Sequence, residues 1–148
     1  MKFFHSKGKA DYTIIIGCGR LGGSIADFMS SRGESVLVMD IDEKAFRRLS
    51  PAFGGLVSVG DGADFDALGE AHMERATTVL AVTDSDNANI MIAHIAREIY
   101  HVPQVIVRLL DPALEGIYKK LGFNTICPAE LSARQIVNIM AEKPESEV

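Results

Sequence analysis

The segment Tyr12-Thr13-Ile14-Ile15-Ile16-Gly17-Cys18-Gly19-Arg20-Leu21-Gly22 constrains the fold more than any other part of this chain. An apolar run too short for a helix gives way to G-x-G-x-x-G, and a helical pattern opens near Arg20. Gly17 permits a tight turn out of the strand, Gly19 lets an anion approach the backbone, and Gly22 lets the helix pack close to the sheet. The helix N-terminus adds unpaired N–H groups and a partial positive charge, a natural seat for a phosphate. A second apolar run, Ser35-Val36-Leu37-Val38-Met39, ends in Asp40, about twenty residues past the glycines. An acid at that distance is placed to accept ribose hydroxyls. Its charge repels a 2′-phosphate, so NADP is disfavoured relative to NAD, AMP, ADP or ATP.

Strand and helix signals alternate along the rest of the chain. Strands are expected at 12–16, 35–40, 55–59, 77–82, 104–108 and 123–127, with helices at 20–32, 43–50, 63–71, 86–101, 112–121 and 129–141. Runs such as Thr78-Val79-Leu80-Ala81-Val82 are apolar throughout, as in strands buried on both faces. The pattern predicts a Rossmann-like, doubly wound parallel sheet of about six strands with right-handed crossovers. One domain over 11–141 is expected, between polar tails at 1–10 and 142–148. No signal peptide and no apolar run long enough for a membrane span appears, which predicts a cytoplasmic protein. A net charge of −5 argues against a nucleic-acid partner. Cys18 and Cys127 fall on strands three positions apart in a 3-2-1-4-5-6 order, roughly 14 Å and too far for a disulfide. A helix N-terminus lowers a thiol pKa, so Cys18 is either a tuned thiol or a small side chain filling the loop.

Several residues join the candidate site by position. Arg20, at the helix start, either pairs with a phosphate or is solvated; Leu21 packs inward while offering its N–H. Thr83, Asp84 and Asn87 follow the fourth strand, which adjoins the first at the topological switch point and borders the phosphate crevice. Asp42 is a helix cap, and Asp61 with Gly62 closes the third strand, with Asp61 a candidate cap for the next helix. The four histidines, 5, 72, 94 and 101, have no metal-ligand spacing; His94 and His101 are expected on one helix. The last helix carries one stripe of Ala129, Ser132, Ala133, Ile136, Val137 and Met140, and a second face with Leu131 and Ile139. One face suffices to cover a sheet, and the other suggests a partner surface.

The glycine loop, Met39-Asp40-Ile41-Asp42, Val59-Gly60-Asp61-Gly62, the run Ala81-Val82-Thr83-Asp84-Ser85-Asp86-Asn87-Ala88-Asn89, Val107-Arg108-Leu109-Leu110-Asp111-Pro112 and Leu121-Gly122-Phe123-Asn124 together resemble one family. It is the RCK, or TrkA-N, nucleotide-binding domain of Trk/Ktr-type potassium uptake regulators. The resemblance implies that Ile41 and Lys44 flank an adenine with Asp61 and Gly62 beside it. It also implies that Arg108 faces the outer phosphates or a partner subunit. The helix at 129–141 becomes a crossover helix through which a homodimer or larger ring forms. The implied function is a cytosolic subunit at the inner face of the membrane that binds AMP, ADP, ATP or NAD and gates a potassium transporter. Most family members carry a second, smaller C-terminal lobe beyond the point where this chain ends, so its role is expected to be either absent or supplied by another polypeptide. A small NAD(H) oxidoreductase and an adenylate sensor for another partner are the alternatives; no Tyr/Lys, His/Asp or Ser/His catalytic arrangement is evident.

Overall fold

A computed structural model describes residues 10–142. The tails expected at 1–10 and 142–148 therefore lie almost wholly outside the described residues. Strands β1 (Thr13–Ile16), β2 (Val36–Asp40), β3 (Leu56–Val59), β4 (Thr78–Ala81), β5 (Gln104–Arg108) and β6 (Asn124–Ile126) form one sheet in the order 3-2-1-4-5-6. Every pairing is parallel. Helices α1 (Arg20–Ser31), α2 (Phe65–Glu70), α3 (Asp86–His94), α4 (Pro112–Lys120) and α5 (Pro128–Ala141) complete the chain, with a 3₁₀ segment at Glu43–Arg48. The expected fold class is thus observed.

The sheet divides two cores. On one face Ile14, Ile16, Met39, Val79, Ala81, Val105 and Val107 pack against Leu68 of α2 and Ile92 and Ala93 of α3. On the other, Ile15, Val36, Val38, Leu80 and Val82 meet Ala26 of α1 and the side chains of the 3₁₀ segment. Strands buried on both sides explain why β1, β2 and β4 read as unbroken apolar runs.

The helix ends follow local chemistry. The carboxylates of Asp42, Asp64 and Asp111 cap the segments that follow them, and the Ser85 hydroxyl caps α3. Asp61 accepts from Ala63 N and closes a turn; Asp64, three residues on, caps α2 instead. The helix expected over 86–101 is α-helical only to His94, then widens into a π turn at Ile95–Ile99. His101 adopts a left-handed φ of 53° beyond the helix end, so it does not share a helix with His94. His94 packs edge-on against Tyr118 and Phe123.

The largest departure concerns α5. Sequence patterning placed one of its faces on the sheet, yet the helix buries no residue, and every position from Ala129 to Glu142 is exposed. The chain turns out of β6 at Cys127-Pro128, and the helix projects from the domain. Ile106 is therefore only half-buried, and Ile126, on the same sheet face, is exposed.

Candidate functional site

The switch point between β1 and β4 has a physical consequence. Crossovers leave these neighbouring strands in opposite directions, so a crevice opens beyond their carboxyl ends. A cleft of about 410 Å³ occupies that position. Its walls come from the β1–α1 loop, the ends of β2 and β3, the loop after β4, and Arg108 at the end of β5.

Gly17 adopts φ +111°, and a Cβ there would lie 2.7 Å from the Val82 carbonyl. That contact brings the glycine loop against the loop after β4. Gly19 is different: a Cβ added there would meet nothing within 4 Å, so its bare side faces the open cleft. Gly19 is also the N-cap position of α1, where no side chain accepts from the helix N–H groups and no acid occupies the first turn. Those N–H groups are left for an anion. A Cβ at Gly22 would sit 1.8 Å from the Gly17 oxygen, so the turn closes only around glycine.

Asp40 organises the opposite wall. One carboxylate oxygen accepts from Cys18 N at 2.8 Å and the other from Asp42 N at 2.8 Å. Each oxygen keeps a second acceptor lone pair, and Asp40 lines the cleft. The Cys18 side chain is buried in the loop. Burial, reinforced by the nearby Asp40 charge, pushes its thiol pKa upward from 9.0. Burial and the Asp40 charge both work against the lowering that a helix N-terminus offers a thiol. Cys18 therefore fills the loop and is not a tuned nucleophile.

Beyond β4, Thr83 and Asp84 line the cleft. The Arg108 guanidinium donates from Nη2 to the Val82 and Thr83 carbonyls, at 2.8 and 2.7 Å. Its Nε is buried with no hydrogen-bond partner among the described residues. Arg108 and the open N-terminus of α1 border the same cleft, and together they suit an anionic ligand group. Four acids (Asp40, Asp42, Asp61, Asp84) line the cleft, and the two arginines Arg48 and Arg108 supply its positive charge.

The structure brings Gly17, Cys18, Gly19, Asp40, Ile41, Asp61, Gly62, Thr83, Asp84 and Arg108 into one cleft. Five other candidates do not line it. Arg20 is exposed on the first turn of α1, Leu21 packs into the core behind the loop, and Gly22 is buried beneath it. Lys44 is exposed on the 3₁₀ segment, where Arg48, one turn later, reaches the cleft in its place. Asn87 is exposed on α3; the buried asparagine is Asn89, bonded to Thr83. Its signal was present: Asn89 stands three residues before Ile92, on the apolar side of the helix. Arg48 had no such signal, because its reach depends on a 3₁₀ geometry that the pattern did not specify. Among the described residues no helix is long and apolar enough to cross a membrane, and no cluster of three or more His, Cys, Asp or Glu could hold a metal.

Comparison with known proteins adds a family to this geometry. A family model described as the TrkA-N domain matches residues 13–128. A Trk system potassium uptake protein TrkA from Streptomyces coelicolor is 39% identical over 126 residues, covering 85% of this chain and 56% of that protein. The chain spans roughly half to three-fifths of the length of its first curated relatives. Among solved structures, the Shewanella denitrificans Kef CTD in AMP-bound form superposes with a TM-score of 0.75 at 20% identity, covering 90% of this chain and 84% of that one. The GsuK channel bound to NAD superposes with a TM-score of 0.67 at 18% identity, covering 84% and 22%. These likenesses establish the fold, and the family match spanning β1 to the start of α5 shows that the chain belongs to the TrkA-N domain family.

Proposed function

We propose that this domain is a non-enzymatic regulatory module of a potassium uptake system, binding an adenine nucleotide in the cleft beyond β1, β2 and β4. The observation that carries the reading is the pairing of an open Gly19 with the cleft-facing Asp40 carboxylate across one crevice. Asp40 would hold the ribose, Ile41 and Asp61 would lie against the adenine, and Gly19, the first turn of α1 and Arg108 would receive the phosphates. AMP, ADP, ATP and NAD share the adenosine half that these groups recognise; NADP is disfavoured by the Asp40 charge. The AMP- and NAD-bound neighbours and the TrkA relatives support the ligand class and the potassium-uptake role.

The module acts at the inner face of the membrane on a transporter subunit. A homodimer or ring forms through α5, and a C-terminal lobe is supplied by further chain or by another polypeptide. Gating requires the ligand to bind two arrangements of the assembly with unequal affinity. The oxidoreductase alternative gains nothing from the site, where the one thiol has a raised pKa. The test is native mass spectrometry of the purified protein for co-purifying nucleotide, followed by calorimetry with AMP, ADP, ATP, NAD and NADP. Binding of at least one of the first four, with NADP weakest, is expected. Failure of all four to bind at millimolar concentration refutes the reading.

A further inference from the structure

Asn89 is fully buried, at 0% exposure, and all four of its hydrogen-bonding positions are used. Its Oδ1 accepts from Thr83 N at 2.9 Å and from the Thr83 hydroxyl at 2.6 Å. Its Nδ2 donates to the Thr83 carbonyl at 3.0 Å and the Arg108 carbonyl at 2.8 Å. Swapping the amide would set oxygen against two carbonyls, so the orientation is determined by the network. One turn earlier, the two Asp86 carboxylate oxygens accept from Leu110 N at 2.7 Å and Asp111 N at 3.0 Å. The loop after β4 and the loop after β5 are thereby joined by side chains of a single helix.

The chain of bonds continues to the root of α5. Leu109 N donates to the Ile126 carbonyl at 2.9 Å, and Cys127 follows immediately as the residue that starts α5. Since α5 buries nothing on the domain, its direction is set where it leaves the sheet. Thr83 and Arg108 line the cleft, whereas Asn89 and Asp86 do not.

We propose that Asn89 and Asp86 are the coupling residues of this domain: they transmit the position of Thr83 and Arg108 to the 109–127 segment and so set the direction of α5. This rests on the nucleotide reading of the cleft. A ligand phosphate drawn to Arg108 competes with the Val82 and Thr83 carbonyls for the guanidinium. The resulting shift of either loop reaches the other through a network with no slack, because each Asn89 bond is made and buried. Asn89 is a positioning residue, acting on the site through Thr83 and Arg108. Asp86 carries the same displacement outward.

The experiment is amide hydrogen exchange by mass spectrometry on the full chain, with and without saturating AMP, ADP or NAD, alongside calorimetry. In the parent, ligand slows exchange at 82–85, 109–111 and 126–131. In Asp86→Ala, affinity stays within about threefold and protection at 82–85 persists, while the response at 126–131 is lost. In Asn89→Ala, affinity falls about tenfold and the distant response is also lost. If Asn89→Ala does not fold, as circular dichroism would show, Asp86→Ala decides alone. An undiminished response at 126–131 in Asp86→Ala overturns the proposal, as does a parent that binds nucleotide without any response there. A parent that binds none of the three nucleotides defeats the nucleotide reading itself, and the coupling with it.

Discussion

At the scale of single residues, Asp40, Gly17 and Gly19 divide the work of the cleft. Asp40 already accepts two backbone N–H groups, so it braces the loop, and under the proposed nucleotide reading it is also the ribose acceptor. Asp40→Ala is expected to weaken adenosine-nucleotide binding by about 10–100-fold, a loss of roughly 1.5–3 kcal/mol; unchanged affinity in calorimetry would sink the assignment. The two loop glycines separate folding from binding. Gly19 has an extended backbone and open space where a side chain would go, so Gly19→Val should fold normally and lose phosphate affinity. Gly17→Ala forces a side chain onto a φ of +111° and against Val82. It should cost about 2–3 kcal/mol, lowering Tm by roughly 5–10 °C. Equal melting curves for the two variants would contradict this division. Cys18 and Tyr12 add a pH signature: burial raises both pKa values, from 9.0 and 10.0. In each case the folded state holds its proton more tightly than the unfolded state, so the stabilisation is complete below about pH 9 for Cys18 and about pH 10 for Tyr12, and falls as pH rises past those values. Tm measured from pH 7 to 10.5 should decline above 9, with a shallower slope in Cys18→Ala.

Among the elements, α5 is the one whose surroundings differ most from its pattern. Its two apolar faces led to the expectation that one of Ile136 and Ile139 would rest on the sheet. Both are 56% exposed, so neither does. Aspartate at either position should change folding stability by less than about 0.5 kcal/mol, since no core contact is lost. In an assembly built through α5, the same charge must be desolvated, and Ile136→Asp and Ile139→Asp should both dissociate it. Sedimentation velocity of the parent and both variants checks this; a monomeric parent at micromolar concentration rules the interface out. The break of α3 into a π turn is a smaller case of the same kind. Tyr100 N reaches back to the Ile95 carbonyl at 3.2 Å, one residue further than an α-helix allows.

For the whole molecule, the 3-2-1-4-5-6 order is what converts separate loops into one cleft. Residues from five strand ends, spread between Ile16 and Arg108 in sequence, converge because β1 and β4 lie side by side. A ligand held there binds only the folded chain. At a hundred times its Kd, an adenine nucleotide should add about 2.7 kcal/mol and raise Tm by roughly 5–10 °C. NADP at the same concentration should give a smaller shift. A thermal shift series with AMP, ADP, NAD and NADP measures both, and an equal response to all four would show that Asp40 does not discriminate.

The sheet and the glycine loop were legible in the sequence because their determinants are local. Apolar runs of four or five residues, glycines at fixed spacing and caps such as Asp111-Pro112 act within a few positions of themselves. Asp40 was legible too, since a strand of known length carries it to the crevice. Tertiary structure decided the rest. Lys44 and Arg48 are both basic residues on one short segment, and only its 3₁₀ winding brings Arg48 to the cleft. Asn87 and Asn89 are two residues apart, and only packing against β4 and β5 buries the second. The direction of α5 escaped the sequence for the same reason. An amphipathic stripe states that a helix face needs cover, but not whether the cover comes from its own sheet or from elsewhere.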